Sequence, residues 1–262
     1  MKLLALIIFL LPDLLDAGNP FLAAGSQATA LSGMQMFSGK QFSGINNLSM
    51  YKHDKTSYGM CLNKPYFLSE IVQLDAFYIK SYKHHDGVVY FRSLNATDYS
   101  YNSVGLGFGI QIHPKIRTSI QTEFQFEHIS GYGNTIGNTW KVSFTTLPFE
   151  KSHLAWLVDI SLPNSNKQTF QLYQIFAWQY SMSKQSKLLA EIQWQQDQIP
   201  LLKLGFNFEI NTKWQFYSGC TFSTGNFATG LTYKKKNISY GFAIRYHQVL
   251  GSGNALQINY GL

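Results

Sequence analysis

The chain predicts an all-β fold: a transmembrane antiparallel β-barrel of about 14 strands, with an N-terminal plug segment inside it. Three observations carry this reading. From Tyr99 onward, apolar and polar residues alternate strictly, as in Val104, Leu106, Phe108, Ile110 and Ile112 against Ser103, Gly105, Gly107, Gly109 and Gln111. Successive strand side chains point to opposite faces, so each run has one greasy face and one wet one. The runs last about ten residues, which suits a tilted span of a bilayer better than the shorter strands of a soluble sandwich. Finally, the connections between runs alternate short and long, as in barrels with tight turns at one end and loops at the other.

Residues 1–17 read as a secretory signal peptide: Lys2, an apolar run from Leu3 to Leu11, Pro12, and a small residue at Ala17. No cysteine follows the run, which argues against a lipoprotein anchor. Export combined with spanning strands points to the outer membrane of a double-membraned bacterium. Residues 18–55 do not alternate. A small-residue stretch from Ala23 to Gly33 precedes Met34, Met36, Phe37, Phe42, Ile45 and Leu48, too many apolar side chains to leave in water. A barrel of this size has room inside its wall, so this segment is expected to fold there as a plug.

Residues 56–262 form the barrel, with strands expected near 56–64, 71–82, 87–94, 99–112, 115–128, 138–147, 152–161, 168–182, 186–196, 199–210, 213–222, 226–234, 237–247 and 252–262. If the first strand leaves the periplasm, the periplasmic turns fall at Lys83 to Asp86, His113-Pro114, Phe149 to Lys151, Ser183 to Gln185, Asn211-Thr212 and Lys235-Lys236. The outer loops are then the longer set, including Pro65 to Glu70, Ile129 to Gly137, Pro163 to Lys167 and Gln248 to Gly251. Lys or Arg facing lipid at mid-depth costs about 2–4 kcal/mol. That fixes the faces: Glu191, Lys203, Glu209 and Arg245 inward, Trp214, Phe216, Ile192 and Trp194 outward. The strand near 168–182 is apolar on both faces through Tyr173, Ile175 and Ala177, so it needs an internal packing partner or a neighbouring protein.

Charged residues make up 13% of the chain and aromatics 16%, and the formal net charge is +7. The basic residues lie singly in turns and on wet faces, with Lys234, Lys235 and Lys236 as the one run, so no nucleic-acid surface is expected. Cys61 and Cys220 lie on separate strands and are expected to be unpaired wall thiols. His84-His85-Asp86 reads as a polar turn, because adjacent histidines point apart and no further ligands are placed. The sharpest enzymatic lead is His128-Ile129-Ser130, followed by Asn134 and Asn138. Residues two apart on a strand share a face, so the imidazole could take the serine proton while a third group orients the ring. His128 shares parity with Phe124 and Phe126, however, which favours a rim histidine. No catalytic, cofactor-binding or metal residues are assigned.

The stretch ending in Ala30-Leu31-Ser32-Gly33, the later Ile45-Asn46-Asn47-Leu48, and the hairpin from Tyr58-Gly59-Met60 through Pro65-Tyr66 to Val72 and Leu74 resemble the N-terminal signature of Bacteroidota PorV/PorQ-like proteins. These belong to the FadL-like barrel superfamily. Tyr246-His247-Gln248-Val249-Leu250-Gly251 before an alternating last strand is similar too. The chain departs from the pattern in having Asn46-Asn47-Leu48-Ser49 in place of Asn-Pro-Ala-Gly, a shorter length, and Leu262 rather than an aromatic at the end. The resemblance implies a non-enzymatic accessory subunit of an outer-membrane complex for secretion, including type IX secretion, assembly or surface display. Its partners would be outer-membrane lipid and other outer-membrane or surface proteins. The wider superfamily implies the alternative, a diffusion channel for hydrophobic small molecules. Such a channel needs an apolar lumenal pocket, involving Met34, Met36, Phe37 and Phe42, and a lateral gap in the wall.

Overall fold

The computed structural model describes residues 23–37, 42–51, 56–65, 70–163, 171–195, 198–248 and 251–261. The signal peptide expected at 1–17 lies outside them, as do the tips of three of the expected long loops. Fourteen antiparallel strands run in chain order: β1 (Ser57–Lys64), β2 (Val72–Tyr82), β3 (His85–Ala96), β4 (Tyr99–His113), β5 (Ile116–Ile129), β6 (Gly133–Phe149), β7 (Ser152–Pro163), β8 (Gln171–Ser181), β9 (Ser186–Gln195), β10 (Leu201–Glu209), β11 (Trp214–Thr221), β12 (Asn226–Lys235), β13 (Ile238–His247) and β14 (Gly251–Gly261). Each pairs with its sequence neighbours, and β14 returns to β1 in register from Ser57↔Gly261 to Lys64↔Asn254. Closure leaves no strand edge in which backbone groups would lack partners inside a bilayer.

The outward face is a continuous apolar surface: Val104, Leu106, Phe108, Trp140, Trp156, Phe176, Ile192, Phe242 and Ile258 are all exposed. The inward face is polar and buried, with Gln121, Glu123, Lys141, Glu191, Gln193 and Gln257 among its members. This inside-out arrangement is stable when the solvent outside is hydrocarbon. Lys203 and Arg245 point inward as the alternation requires, and Trp214 and Trp194 point outward.

Two expectations are corrected. The loop expected from Ile129 to Gly137 is a three-residue turn, because β5 and β6 continue pairing through Glu127↔Thr135, His128↔Asn134 and Ile129↔Gly133. Both faces are polar there, beyond the apolar belt, so the ladder persists where the apolar rhythm has ended. Likewise β3 begins at His85, and the turn is only Lys83-His84, with Lys83 at φ 53. His85 stacks on Phe108, with ring centroids 5.5 Å apart. Asp86 turns inward to pair with Arg117.

Inside the wall lie helix α1 (Ser26–Ala30), helix α2 (Ser43–Asn46) and a 3-10 turn at Leu48–Met50. Helix α1 is too short to hold itself together. Its end is fixed by a left-handed Ser32 (φ 57), whose N–H donates to Thr29 O at 3.1 Å, and by Gly33 N–H donating to Ala28 O at 2.8 Å. This is the Schellman arrangement. Asn46 joins the two halves of the plug: its Oδ1 accepts from Ala24 N at 2.8 Å, and its Nδ2 donates to Ala24 O at 2.9 Å. Asn47 Oδ1 accepts from Ser49 N and Ser49 Oγ, opening the 3-10 turn.

Candidate functional site

The lumen is the concave, chemically mixed region of this molecule. The plug fills it from the end where β1 starts and, along β10, β11 and β1, reaches Lys203, Thr221 and Asn63 near the other ends of those strands. Met34, Met36, Ile45 and Leu48 are fully buried in one apolar cluster with Ile79, Val88, Tyr90, Leu157, Ile175 and Leu189 of the wall. Phe42 meets Phe77 edge to face at 4.9 Å. The cluster also takes in Ala177, and Tyr173 packs against it. The internal packing partner required by the doubly apolar β8 is therefore the plug itself.

Where α1 meets β10 to β13, the wall presents glycines. A Cβ at Gly219 would lie 2.5 Å from the carbonyl carbon of Leu31, and one at Gly205 would lie 2.8 Å from the Leu31 side chain. Backbone thus rests on backbone, which no larger residue permits.

Polar wall residues satisfy the plug's backbone. Glu191 accepts from Gln35 N and Met36 N at 2.9–3.1 Å. Lys203 Nζ donates to Gly33 O at 3.0 Å. Gln257 Oε1 accepts from Ser26 N at 2.7 Å, and Gln121 Nε2 donates to Gly44 O at 2.9 Å. Gln27 Nε2 donates to Tyr217 OH at 2.8 Å, and Ser49 Oγ sits 2.6 Å from Thr145 Oγ1. A buried peptide group left unpaired costs about 1–3 kcal/mol, so these contacts determine where the segment can lie.

On the side of β2 to β7, farther along the strands than the plug reaches there, lies a band of buried ionic groups. Arg92 Nε donates to Asp75 Oδ1 at 2.9 Å, and Lys141 Nζ donates to Glu123 Oε2 at 3.0 Å. Glu123 also accepts from Ser103 Oγ at 2.6 Å and Tyr90 OH at 3.1 Å. Removing charges from water is costly unless they are paired and further hydrogen-bonded, and these two pairs meet both conditions. Asp159 on β7 belongs to the same band. Farther out, Leu94 and Tyr101 form a small apolar patch with Ile71 and Tyr99.

Of the residues singled out from sequence, Met34, Met36, Phe37 and Phe42 do meet inside the barrel, as filling of the plug–wall core. The lateral gap expected of a channel is not seen among the described residues: all fourteen strands pair along both edges, with register irregularities at Gln111/His113 and Thr146/Phe149, both beside turns at the same end. His128 Nδ1 lies 2.7 Å from Asn134 Oδ1 across the outward face of the β5–β6 hairpin. Ser130 stands in the following turn, where its N–H donates to Asp98 O at 2.9 Å; no hydrogen bond joins its hydroxyl to the imidazole among the described residues. The histidine and asparagine staple the hairpin tip. Both cysteines are free, Cys61 inward and buried, Cys220 on the outward parity of β11. Asp75, Arg92, Glu123, Lys141 and Asp159 were not singled out. Their inward parity was readable from alternation, and Asp75 stands directly opposite Arg92 in the β2–β3 ladder; the bond from Tyr90 on β3 to Glu123 on β5 joins non-adjacent strands and is set by the curvature of the closed wall.

Fold and site together define a plugged, closed 14-strand antiparallel barrel with an apolar exterior. No family model matches the chain, and no curated protein does. Solved structures do share the fold. The chain is similar to the CymD monoaromatic hydrocarbon channel, at 9% identity and a TM-score of 0.67 over 91% of this chain and 97% of that one. It is similar to the toluene transporter TbuX of Ralstonia pickettii, at 8% identity and a TM-score of 0.65 over 91% and 97%. A Pseudomonas aeruginosa FadL homologue aligns at 7% identity with a TM-score of 0.63 over 94% and 99%.

Proposed function

We propose that this protein is an outer-membrane channel of FadL-like type, through which small hydrophobic molecules diffuse. The observation that carries this reading is the packed apolar core between plug and wall, Met34, Met36 and Phe42 against Leu157, Ile175 and Leu189, set within an otherwise polar inner face: a stoppered greasy interior rather than an open aqueous pore. The likeness to hydrocarbon channels and a toluene transporter agrees with it. In this reading the plug enters from the periplasmic end, the Leu94 and Tyr101 patch is the outer mouth, and the wall's partner is outer-membrane lipid. Because the ladder is closed, passage requires the plug to shift from its seat on β10 to β13. The accessory-subunit reading rests on the PorV/PorQ-like resemblance, on the short loops, and on apolar faces beyond what a lone barrel needs, of which the inner face of β8 is already covered by the plug.

The test is uptake of radiolabelled toluene and of a long-chain fatty acid by cells that lack their own carriers and express this barrel. Uptake well above that of the empty host supports the channel. Uptake equal to the host, with the barrel folded in the outer membrane and a second protein co-purifying in stoichiometric amount, would establish the accessory role instead.

A further inference from the structure

Resting on the channel reading, we infer that the lumen holds a head-group site at Asp159, selecting apolar molecules that carry one hydrogen-bond-donating group, a hydroxyl or an amine. Asp159 faces inward from β7 and is only 6% exposed, yet its Oδ1 has no hydrogen-bond partner. An unsatisfied buried carboxyl oxygen is costly, and native structures rarely keep one without a use. The neighbouring cations do not supply a hydrogen bond to it. Lys141 stands opposite Asp159 in the β6–β7 ladder but donates to Glu123, while Arg92 donates to Asp75. The band thus holds three carboxyl groups against two cations, each of which is engaged elsewhere.

Apolar surface adjoins this acceptor on the same inward face. Leu157 lies two residues along β7, Ile175 is opposite Leu157 on β8, and Tyr173, directly opposite Asp159, is half-buried against the plug core. A ligand whose body rests on Tyr173 and the core would bring a head group to Asp159. A donor there satisfies the orphan oxygen; a hydrocarbon of the same shape leaves it unpaired and loses that contribution.

The experiment uses the refolded full-length barrel in detergent, with 2-naphthol and its isostere 2-methylnaphthalene as probes. Naphthyl fluorescence reports binding, with micelles alone as the control. The expected result is that the wild type binds 2-naphthol about tenfold more tightly, the factor for one well-made hydrogen bond. Asp159→Leu removes that preference while affinity for 2-methylnaphthalene holds within about twofold, a readout that a merely structural role would not produce. Asp159→Asn, close in size, gives an intermediate preference and serves if the leucine variant does not close its barrel. No preference in the wild type, or an unchanged preference in both variants, overturns the inference while binding of 2-methylnaphthalene leaves the channel reading standing. Binding of neither probe by the wild type overturns both.

Discussion

At Gly219 the wall touches the plug with no side chain between them, and this contact makes the seat of α1 sensitive to a single substitution. Leucine there would need the space held by the Leu31 backbone, 2.5 Å from the Cβ position. Overpacking of this kind costs about 1–3 kcal/mol. Because the wall has its own fourteen-strand ladder, the plug yields first. Gly219→Leu is therefore expected to keep the heat-modifiable mobility of a closed barrel while thermolysin removes the N-terminal segment faster; equal digestion would show that the seat is elsewhere. The alternation on β11 placed Gly219 on the inward face. It could not show that Leu31 would lie against it, since the two are distant in sequence and meet only when the segment enters the lumen.

At the scale of the strand, alternation settles which face meets lipid, and neighbouring positions make opposite predictions. Ile192 is outward and exposed, while Gln193 is inward, buried, and donates to Glu191 Oε1 at 2.6 Å. Ile192→Lys is expected to lower stability by about 2–4 kcal/mol. Gln193→Lys, with Glu191 at hand, is expected to lose far less. Urea unfolding midpoints in lipid vesicles measure both, and equal losses would mean that the faces are misassigned, since a one-residue slip exchanges them. Thirteen hairpins and one closing pair follow from this rhythm, and the strand ends fell within a few residues of expectation except at the β5–β6 tip, where β6 begins at Gly133 rather than near 138. There the ladder passes into polar surroundings on both sides, as at His128↔Asn134, and alternation carries no further signal.

For the whole molecule, the plug decides whether the barrel is a filled cylinder or an open pore. Deleting residues 23–51 removes Met34, Met36, Phe42, Ile45 and Leu48 from the lumen and leaves an interior that side chains alone cannot fill. The shortened barrel is expected to give large, steady current steps in planar bilayers, where the full chain gives none. Closed behaviour in both would mean that the wall seals itself. Closure, strand number and the facing of each strand were determined by the sequence alone, because a period-two pattern of sufficient length has one stable solution in a bilayer. The bond from Tyr90 on β3 to Glu123 on β5, the seating of α1 and Leu31 on glycines of four strands, and the unpartnered carboxyl oxygen of Asp159 were decided only by the tertiary structure. Local pattern fixes which way a side chain points, whereas its partner across the lumen depends on the curvature of the closed wall and the depth to which the plug inserts.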